Sequence, residues 1–324
     1  MRRLLALSTI ALTLAGCGRD GREPFFETRT PPQVGPRAWP PDGWAWGAIQ
    51  VEGAPQVRYG VTASAGVRRA HVVILPGYGE SAEVYFETVR DLTRRGYTVW
   101  VLEAAGQGGS GRFGPGRDVG RSKGFDKDAA ALKALIADVI RPAGTVTVVV
   151  AAYGSGALPA LLAAEEGLGR VDGLIVWSPD VTSKPADRNA ARFGTGGLRV
   201  AGGKGWTRPD RDLSARSALP DAWQLANPDL RMGAPSRGWI SARESAVEGV
   251  QAGAAQVALP VLTLAPQGNS AAVELCRKAP ACRSESLPAG PAAAHLGPDS
   301  ARTVWLQQMT SFIEERIAAS HHAM

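Results

Sequence analysis

The sequence has few of the residue types that hold metals or bind nucleic acids. Its 324 residues include three cysteines and four histidines, and aromatic residues make up 6% of the chain. Two closely spaced cysteines without nearby histidines supply too few ligands for a structural metal site. The Lys and Arg residues form no concentrated stripe with interleaved aromatic residues, so nucleic-acid binding is disfavoured. We therefore expect no metal, no cofactor and no nucleic-acid partner.

Long apolar runs are also missing, apart from one at the N terminus. Arg2 and Arg3 precede an apolar stretch at residues 4–14, which is too short for a permanent transmembrane helix and is typical of an export signal. Residues 14–17, Leu-Ala-Gly-Cys, resemble the bacterial lipobox. This predicts a signal peptide over residues 1–16 and lipidation of Cys17. The alternative is an ordinary secretory signal followed by an unrelated cysteine.

The predicted lipid would hold the protein on the cell envelope. Gly18 follows the modified cysteine, and by analogy with other lipoproteins a residue other than aspartate there favours the outer membrane. In an organism with two membranes we therefore expect the periplasmic face of the outer membrane. Cys276 and Cys282 remain after processing, and in an oxidising compartment they are expected to form a disulfide.

The mature chain suits one domain with an inserted cap, and we expect a monomer. Residues 17–46 contain six prolines and little that could form a core, which predicts a tether. Removal of Arg2 and Arg3 lowers the formal net charge from +6 to +4. A mildly basic chain suits weak attraction to anionic lipid headgroups.

Apolar runs typical of buried strands alternate with segments of helical periodicity. The runs at 71–75, 98–102, 145–151, 174–177 and 261–264 predict parallel strands. Their alternation with helices predicts an α/β fold with a doubly wound, mostly parallel sheet. The pattern disappears between residues 181 and 255. We therefore expect a core over 47–180 and 256–324, with a cap or lid at 181–255 above the carboxyl ends of the strands.

The most informative turn follows the valine-rich strand that begins near residue 145. A nucleophile elbow of the type G-x-S-x-G needs small residues two positions before and after the nucleophile, because its backbone packs closely. With Gly154 at the apex, the flanking residues are Ala152 and Gly156, both small. With Ser155 at the apex, one flanking residue would be Tyr153, which fits badly. The sequence therefore predicts a glycine at the nucleophile position.

Other segments between residues 56 and 318 are also similar to motifs that accompany such an elbow. Residues 76–80, Pro-Gly-Tyr-Gly-Glu, are similar to an HGxGE oxyanion loop, and residues 103–112 are similar to a DxRGxGxSxR loop. The order of these segments resembles the α/β-hydrolases of the bacterial lysophospholipase and monoacylglycerol lipase group. The resemblance implies an α/β-hydrolase fold and carboxylic-ester hydrolysis of lipids with a single acyl chain.

The resemblance assigns each catalytic role to a position in this chain. The nucleophile position holds Gly154, the catalytic histidine is His295, and the position of the acid holds Asn269. The oxyanion amides would belong to Tyr78 and Ser155. Two of the three triad positions therefore carry residues that cannot perform the reaction in the usual way.

Two residues offer substitutes for the missing groups. Ser155 is a displaced nucleophile candidate if the turn shifts by one residue; otherwise it is a helix residue whose amide serves the oxyanion site. Asp180 follows a central strand and is an alternative acid, or else a turn cap. The sequence thus leaves two functions open. One is a lipid-anchored hydrolase, and the other is an inactive pseudoenzyme lipoprotein that binds a lipid or a protein partner.

Overall fold

The structure is a computed structural model that describes residues 23–66, 68–183, 194–288 and 292–322. The predicted signal peptide and Cys17 lie outside the described residues. The strands are β1 (Ala45–Ile49), β2 (Val57–Thr62), β3 (Ala70–Leu75), β4 (Tyr97–Leu102), β5 (Thr147–Tyr153), β6 (Gly173–Trp177), β7 (Val261–Pro266) and β8 (Cys282–Leu287). The α-helices are α1 (Phe86–Thr93), α2 (Phe125–Ala134), α3 (Ala157–Glu165), α4 (Leu219–Ala226), α5 (Arg237–Gly253), α6 (Ser270–Lys278) and α7 (Asp299–His322).

The strands form one eight-stranded sheet in the order β1-β2-β4-β3-β5-β6-β7-β8. The β1–β2 and β2–β4 pairs are antiparallel, and all other neighbouring strands are parallel. Alternate residues of the central strands enter two separate cores, one shared with α1 and α7 and the other with α2, α3 and α5. The predicted α/β fold with a doubly wound, mostly parallel sheet is confirmed.

The sequence reading missed the strands at both edges of the sheet. The β8 strand has four exposed residues in succession and only one buried residue, so it lacks the apolar run that marks a central strand. The β1 strand has only five residues, and just the last of them is buried. Edge strands are held mainly by backbone pairing to one neighbour, and composition therefore reveals them poorly.

Residues 23–44, named here the N-terminal strap, lie against the body and differ from the predicted tether. Val34 and Ala38 are buried in the core that also holds α1. The Phe25 amide donates to the Gly109 carbonyl at 2.7 Å, and the Arg58 guanidinium donates to the Phe25 carbonyl at 2.8 Å. The strap forms a few turns of its own, among them a 3₁₀ turn at Pro36–Ala38, and the body satisfies further backbone groups near its start. The tether prediction is therefore corrected for residues 23–46.

The cap is also shorter than predicted. The α5 helix, which falls within the predicted 181–255 insertion, places Val247 and Val250 in the core beside α3. Helix α5 therefore covers one face of the sheet and belongs to the core. The described part of the cap consists of residues 194–236, including α4.

The predicted disulfide between Cys276 and Cys282 is present, with the two Cα atoms 4.8 Å apart. It joins α6 to the edge strand β8. None of the helices in the described part of the chain combines the length and apolar character needed to cross a membrane.

Candidate active site

The turn after β5 has the shape of a nucleophile elbow with Gly154 at its apex. Gly154 has a φ of +54°, and a 3₁₀ turn at Gly154–Gly156 leads directly into α3. A Cβ added to Gly156 would lie 2.5 Å from the Pro76 carbonyl oxygen, so only glycine fits there. This is the register expected from the small residues Ala152 and Gly156. A Cβ added to Gly154 would instead meet only the Gly77 Cα, at 3.9 Å.

His295 lies in the short 3₁₀ turn Ala294–Leu296 between β8 and α7, and is 2% exposed. The Trp177 indole N–H donates to its Nδ1 at 3.2 Å. Its Nε2 lies 3.1 Å from Glu80 Oε1. An indole nitrogen can only donate, so Nδ1 must present its lone pair. The neutral imidazole therefore carries its proton on Nε2 and donates it to Glu80.

Glu80 is held by three donors in all. Besides His295, its carboxylate accepts the Gly77 amide at 3.2 Å and the Tyr85 hydroxyl. Burial and the nearby negative charge of Glu80 raise the pKa of Tyr85 well above its ordinary value, so this hydroxyl stays protonated and keeps donating. Glu80 and His295 therefore belong to one satisfied, buried network. The sequence reading found Glu80 only as part of the oxyanion loop and gave it no role.

Aromatic rings fill the space around the imidazole. The Tyr85 ring stacks on His295 with centroids 4.8 Å apart and an interplanar angle of 7°. The Tyr153 ring meets His295 edge-on, also at 4.8 Å, and Trp305 lies 6.1 Å away. Tyr153 also presses on the oxyanion loop, because a Cβ at Gly77 would lie 2.7 Å from its ring. The histidine is thus packed like a core residue.

Neither candidate acid contacts the histidine in this structure. Asp180 accepts the Arg243 Nε–H at 2.7 Å and is also bonded by the other arm of that guanidinium. Asn269 follows β7, as the family order implies, but its side chain caps α6 by accepting the Ala272 amide at 3.1 Å. Trp177 occupies the ring nitrogen that an acid would orient. The expectation that Asp180 substitutes for the acid is therefore not met by this geometry.

The two predicted oxyanion residues lie beside the elbow. Ser155 is buried in the 3₁₀ turn, while both ring nitrogens of His295 are engaged by other residues. The Tyr78 hydroxyl donates to the Gly233 carbonyl in the cap at 2.9 Å, and its ring packs on Trp239 at 4.6 Å. The Gly79 amide donates to Gln107 at 3.0 Å, which fixes the loop. The oxyanion loop is thus tied to both cap and core.

No group of three or more His, Cys, Asp or Glu side chains within the described residues is arranged to hold a metal ion.

Comparison with known proteins agrees with this architecture. A family model described as serine aminopeptidase, S33, matches residues 66–270. A carboxyl esterase from Bacillus coagulans, solved with glycerol, superposes with a TM-score of 0.65 and 16% identity, over 85% of this chain and 99% of that chain. A soluble variant of monoglyceride lipase from Saccharomyces cerevisiae, solved with a substrate analogue, gives a TM-score of 0.62 and 15% identity, over 84% and 94% of the respective chains.

Paleococcus ferrophilus monoacylglycerol lipase gives a TM-score of 0.59 at 16% identity, over 82% of this chain and 99% of that chain. No curated protein sequence matches the chain significantly. Identities this low establish the fold alone. The α/β-hydrolase fold is confirmed, and the family match agrees with the resemblance to the lysophospholipase and monoacylglycerol lipase group.

Proposed function

The chain belongs to the serine aminopeptidase S33 family, and we propose that within it this protein is a lipid-anchored binding protein that has lost ester hydrolysis. The observation that carries the proposal is the pair of hydrogen bonds at His295. Trp177 donates to Nδ1, and Nε2 faces Glu80. Whether His295 can act as a base depends on where these two bonds place the ring proton.

A general base in a serine hydrolase takes the nucleophile's proton on one ring nitrogen, while an acid holds the N–H of the other. Here the proton is on the nitrogen that should accept. A second proton on the ring would have to bind Nδ1, where its N–H would face the N–H of Trp177, and two donors cannot form a hydrogen bond. The ring therefore has no free lone pair with which to activate a hydroxyl.

The elbow gives independent support, because its apex residue is Gly154. Without a hydroxyl or thiol at the apex, no acyl-enzyme can form there. The competing function is hydrolysis by Ser155. It would require the Ser155 hydroxyl to reach His295 in place of Glu80, and the turn to shift so that Tyr153 takes a position now filled by the small Ala152.

For the bound ligand we propose a lipid with a single acyl chain. A cavity of about 550 Å³ lies at the carboxyl edge of β6 and β7, between α5 and α6. Half of its twelve lining residues are aliphatic, among them Val181, Val250, Ala254, Ala271 and Leu275, and five are polar. The lining includes neither the elbow nor the oxyanion loop. Ligand sites generally have this size and mixture of surfaces. The resemblance to monoglyceride lipases suggests the same ligand class.

Calorimetry with a monoacylglycerol tests this site. Ala271→Phe should abolish binding by filling the cavity, whereas Ala319→Phe on the exposed surface of α7 should leave it unchanged. Equal affinity in both variants would place the ligand elsewhere.

For localisation we propose export and lipid attachment through Cys17, supported by the basic start, the short apolar run and the Leu-Ala-Gly-Cys sequence. Mass spectrometry of the mature N terminus should find a modified Cys17, and Cys17→Ser should release the protein from membranes because the acyl chains supply most of the affinity. An unmodified terminus at another residue would contradict it.

A fluorophosphonate probe tests the loss of catalysis. We expect no labelling of the folded protein, and turnover of a short-chain ester no higher than that of Ser155→Ala. Labelling at Ser155 that disappears in Ser155→Ala would establish the hydrolase instead.

A further inference from the structure

Two segments of this chain carry a marked surplus of positive over negative charge. Residues 112–123 and 194–208 together contain seven basic residues and one acidic residue, a formal charge of +6. That value equals the formal net charge of the whole 324-residue sequence. The remainder of the chain is therefore close to neutral, and the charge surplus has a definite location.

The two segments are adjacent in space. Asp118, their single acidic residue, accepts Arg199 at 2.6 Å and the Trp206 amide at 3.0 Å. Its carbonyl accepts the Gly233 amide at 2.8 Å, which joins both segments to the rest of the cap. We name the exposed part of residues 112–123 and 194–208 the basic face; Arg112 is 2% exposed and lies beneath it.

The basic face also presents the side chains that favour a lipid interface. Lys123, Lys204 and Arg208 are exposed, and within the described part of the chain neither Lys204 nor Arg208 forms an ion pair. Leu198 is one of the few large exposed apolar residues, at 58%. Trp206 is half-buried beneath the Arg231 guanidinium, 4.0 Å from its ring centroid. Exposed cations beside a tryptophan and a leucine suit the headgroup region of a bilayer.

The N-terminal strap begins at the same place. The Arg117 guanidinium, on the basic face, donates to the Glu23 carbonyl at 3.1 Å. Cys17 precedes Glu23 by six residues, and six residues span at most about 22 Å even when fully extended. A lipid on Cys17 would therefore keep this part of the body next to the bilayer.

We propose that the basic face is a docking surface for anionic lipid headgroups, which orients the cap side of the molecule toward the membrane. The orientation rests on the proposed lipidation of Cys17, whereas the affinity of the face for anionic lipid does not. The basic face lies where the N-terminal strap begins, close to the proposed lipid on Cys17. This coincidence favours a bilayer as the partner of the basic face.

Vesicle flotation of the full mature chain tests the basic face without the lipid anchor. For this experiment the chain carries Cys17→Ser and is exported with an ordinary cleavable signal, so that no lipid is attached. The probe is a vesicle of phosphatidylethanolamine and phosphatidylglycerol, compared with one of phosphatidylcholine alone. We expect binding only to the anionic vesicles, weakened by salt. Lys204→Gln and Arg208→Gln should each reduce it about fivefold. The matched pair Arg141→Gln and Arg170→Gln, exposed in the loops that precede β5 and β6, should not change it.

Equal losses in the two pairs of variants, or binding indifferent to headgroup charge, would overturn the proposal. Circular dichroism and melting curves establish that each variant is folded. Failure of lipidation would be seen separately by mass spectrometry of the wild-type N terminus. It would remove the orientation argument while leaving the vesicle result to decide whether the face binds lipid.

Discussion

Replacement of Gly154 by serine adds a hydroxyl at the elbow. Its effect on stability and its effect on catalysis can be measured separately. The added Cβ would meet the Gly77 Cα at 3.9 Å, an ordinary contact, so packing is not the obstacle. The backbone is, because φ is +54° and a non-glycine residue in that region costs roughly 1–2 kcal/mol. At about 2 °C per kcal/mol for a large domain, we expect Gly154→Ser to lower the melting temperature by a few degrees.

Two other glycines serve as controls. Gly169 has a φ of +63° and open space around a built Cβ, so Gly169→Ser should cost about as much as Gly154→Ser. Gly156→Ser should cost clearly more, since its Cβ would lie 2.5 Å from the Pro76 carbonyl and backbone cannot move aside cheaply. Chemical denaturation measures all three. A Gly154 variant as damaging as the Gly156 variant would refute the assignment of the apex.

The catalytic expectation is that Gly154→Ser gains no ester hydrolysis. The family order alone suggests that adding Asn269→Asp would complete a triad, but Asn269 caps α6, and an aspartate there would do the same. The His295 Nε2 would still donate to Glu80. Turnover of a short-chain ester by the double variant, above that of the parent and lost when position 154 is returned to glycine, would refute the proton placement.

Three further measurements follow from particular contacts. Long-range ¹H–¹⁵N correlation should show the Nε2–H tautomer at His295, and Trp177→Phe, which removes the donor to Nδ1, should abolish that preference; a wild-type Nδ1–H tautomer would contradict it. Burial raises the pKa of Asp128 to about 7, which is above its value in the unfolded chain. Between about pH 4 and pH 7 the folded state therefore keeps a proton that the unfolded state loses, so the stability of the fold should decrease as the pH rises through this range. Asp128→Asn should flatten that fall in denaturation curves, and an unchanged pH profile would argue against it. Replacing Cys276 and Cys282 by serine should cost about 2 kcal/mol for a loop with a sequence separation of 6, and no change in the denaturation midpoint would show that the link does not constrain the unfolded chain.

The centre of the fold was predictable because a single physical constraint decides which residue types each of its positions can hold. Buried parallel strands such as β3 and β5 must be apolar on both faces, and that makes them visible in the sequence. The apex at Gly154 was predictable because backbone packing excludes large residues at fixed spacings. Elements held by backbone pairing, such as β8, leave no such signal.

The partners of His295 were not predictable in the same way. Trp177 reads as one more apolar residue at the end of a buried strand, and its N–H becomes relevant only when the fold brings it to a histidine 118 residues away. Glu80 lies within a recognised motif, yet the motif does not say which way its carboxylate turns. The strap was misread because proline content indicates an extended chain and says nothing about whether that chain lies on a surface.

The packing around His295 suggests that this residue now stabilises the fold. Catalytic residues usually cost stability, so replacing them is often neutral or stabilising. Here His295→Ala would leave the Trp177 N–H and one oxygen of Glu80 without a partner, at about 1–3 kcal/mol each, and would open a cavity beside Tyr85 and Tyr153. We expect a total loss of about 3–5 kcal/mol in chemical denaturation, against no change for the exposed His321→Ala. If His295→Ala were as stable as the wild type, the histidine would be a strained remnant of a working site, and the case for hydrolysis would have to be reopened.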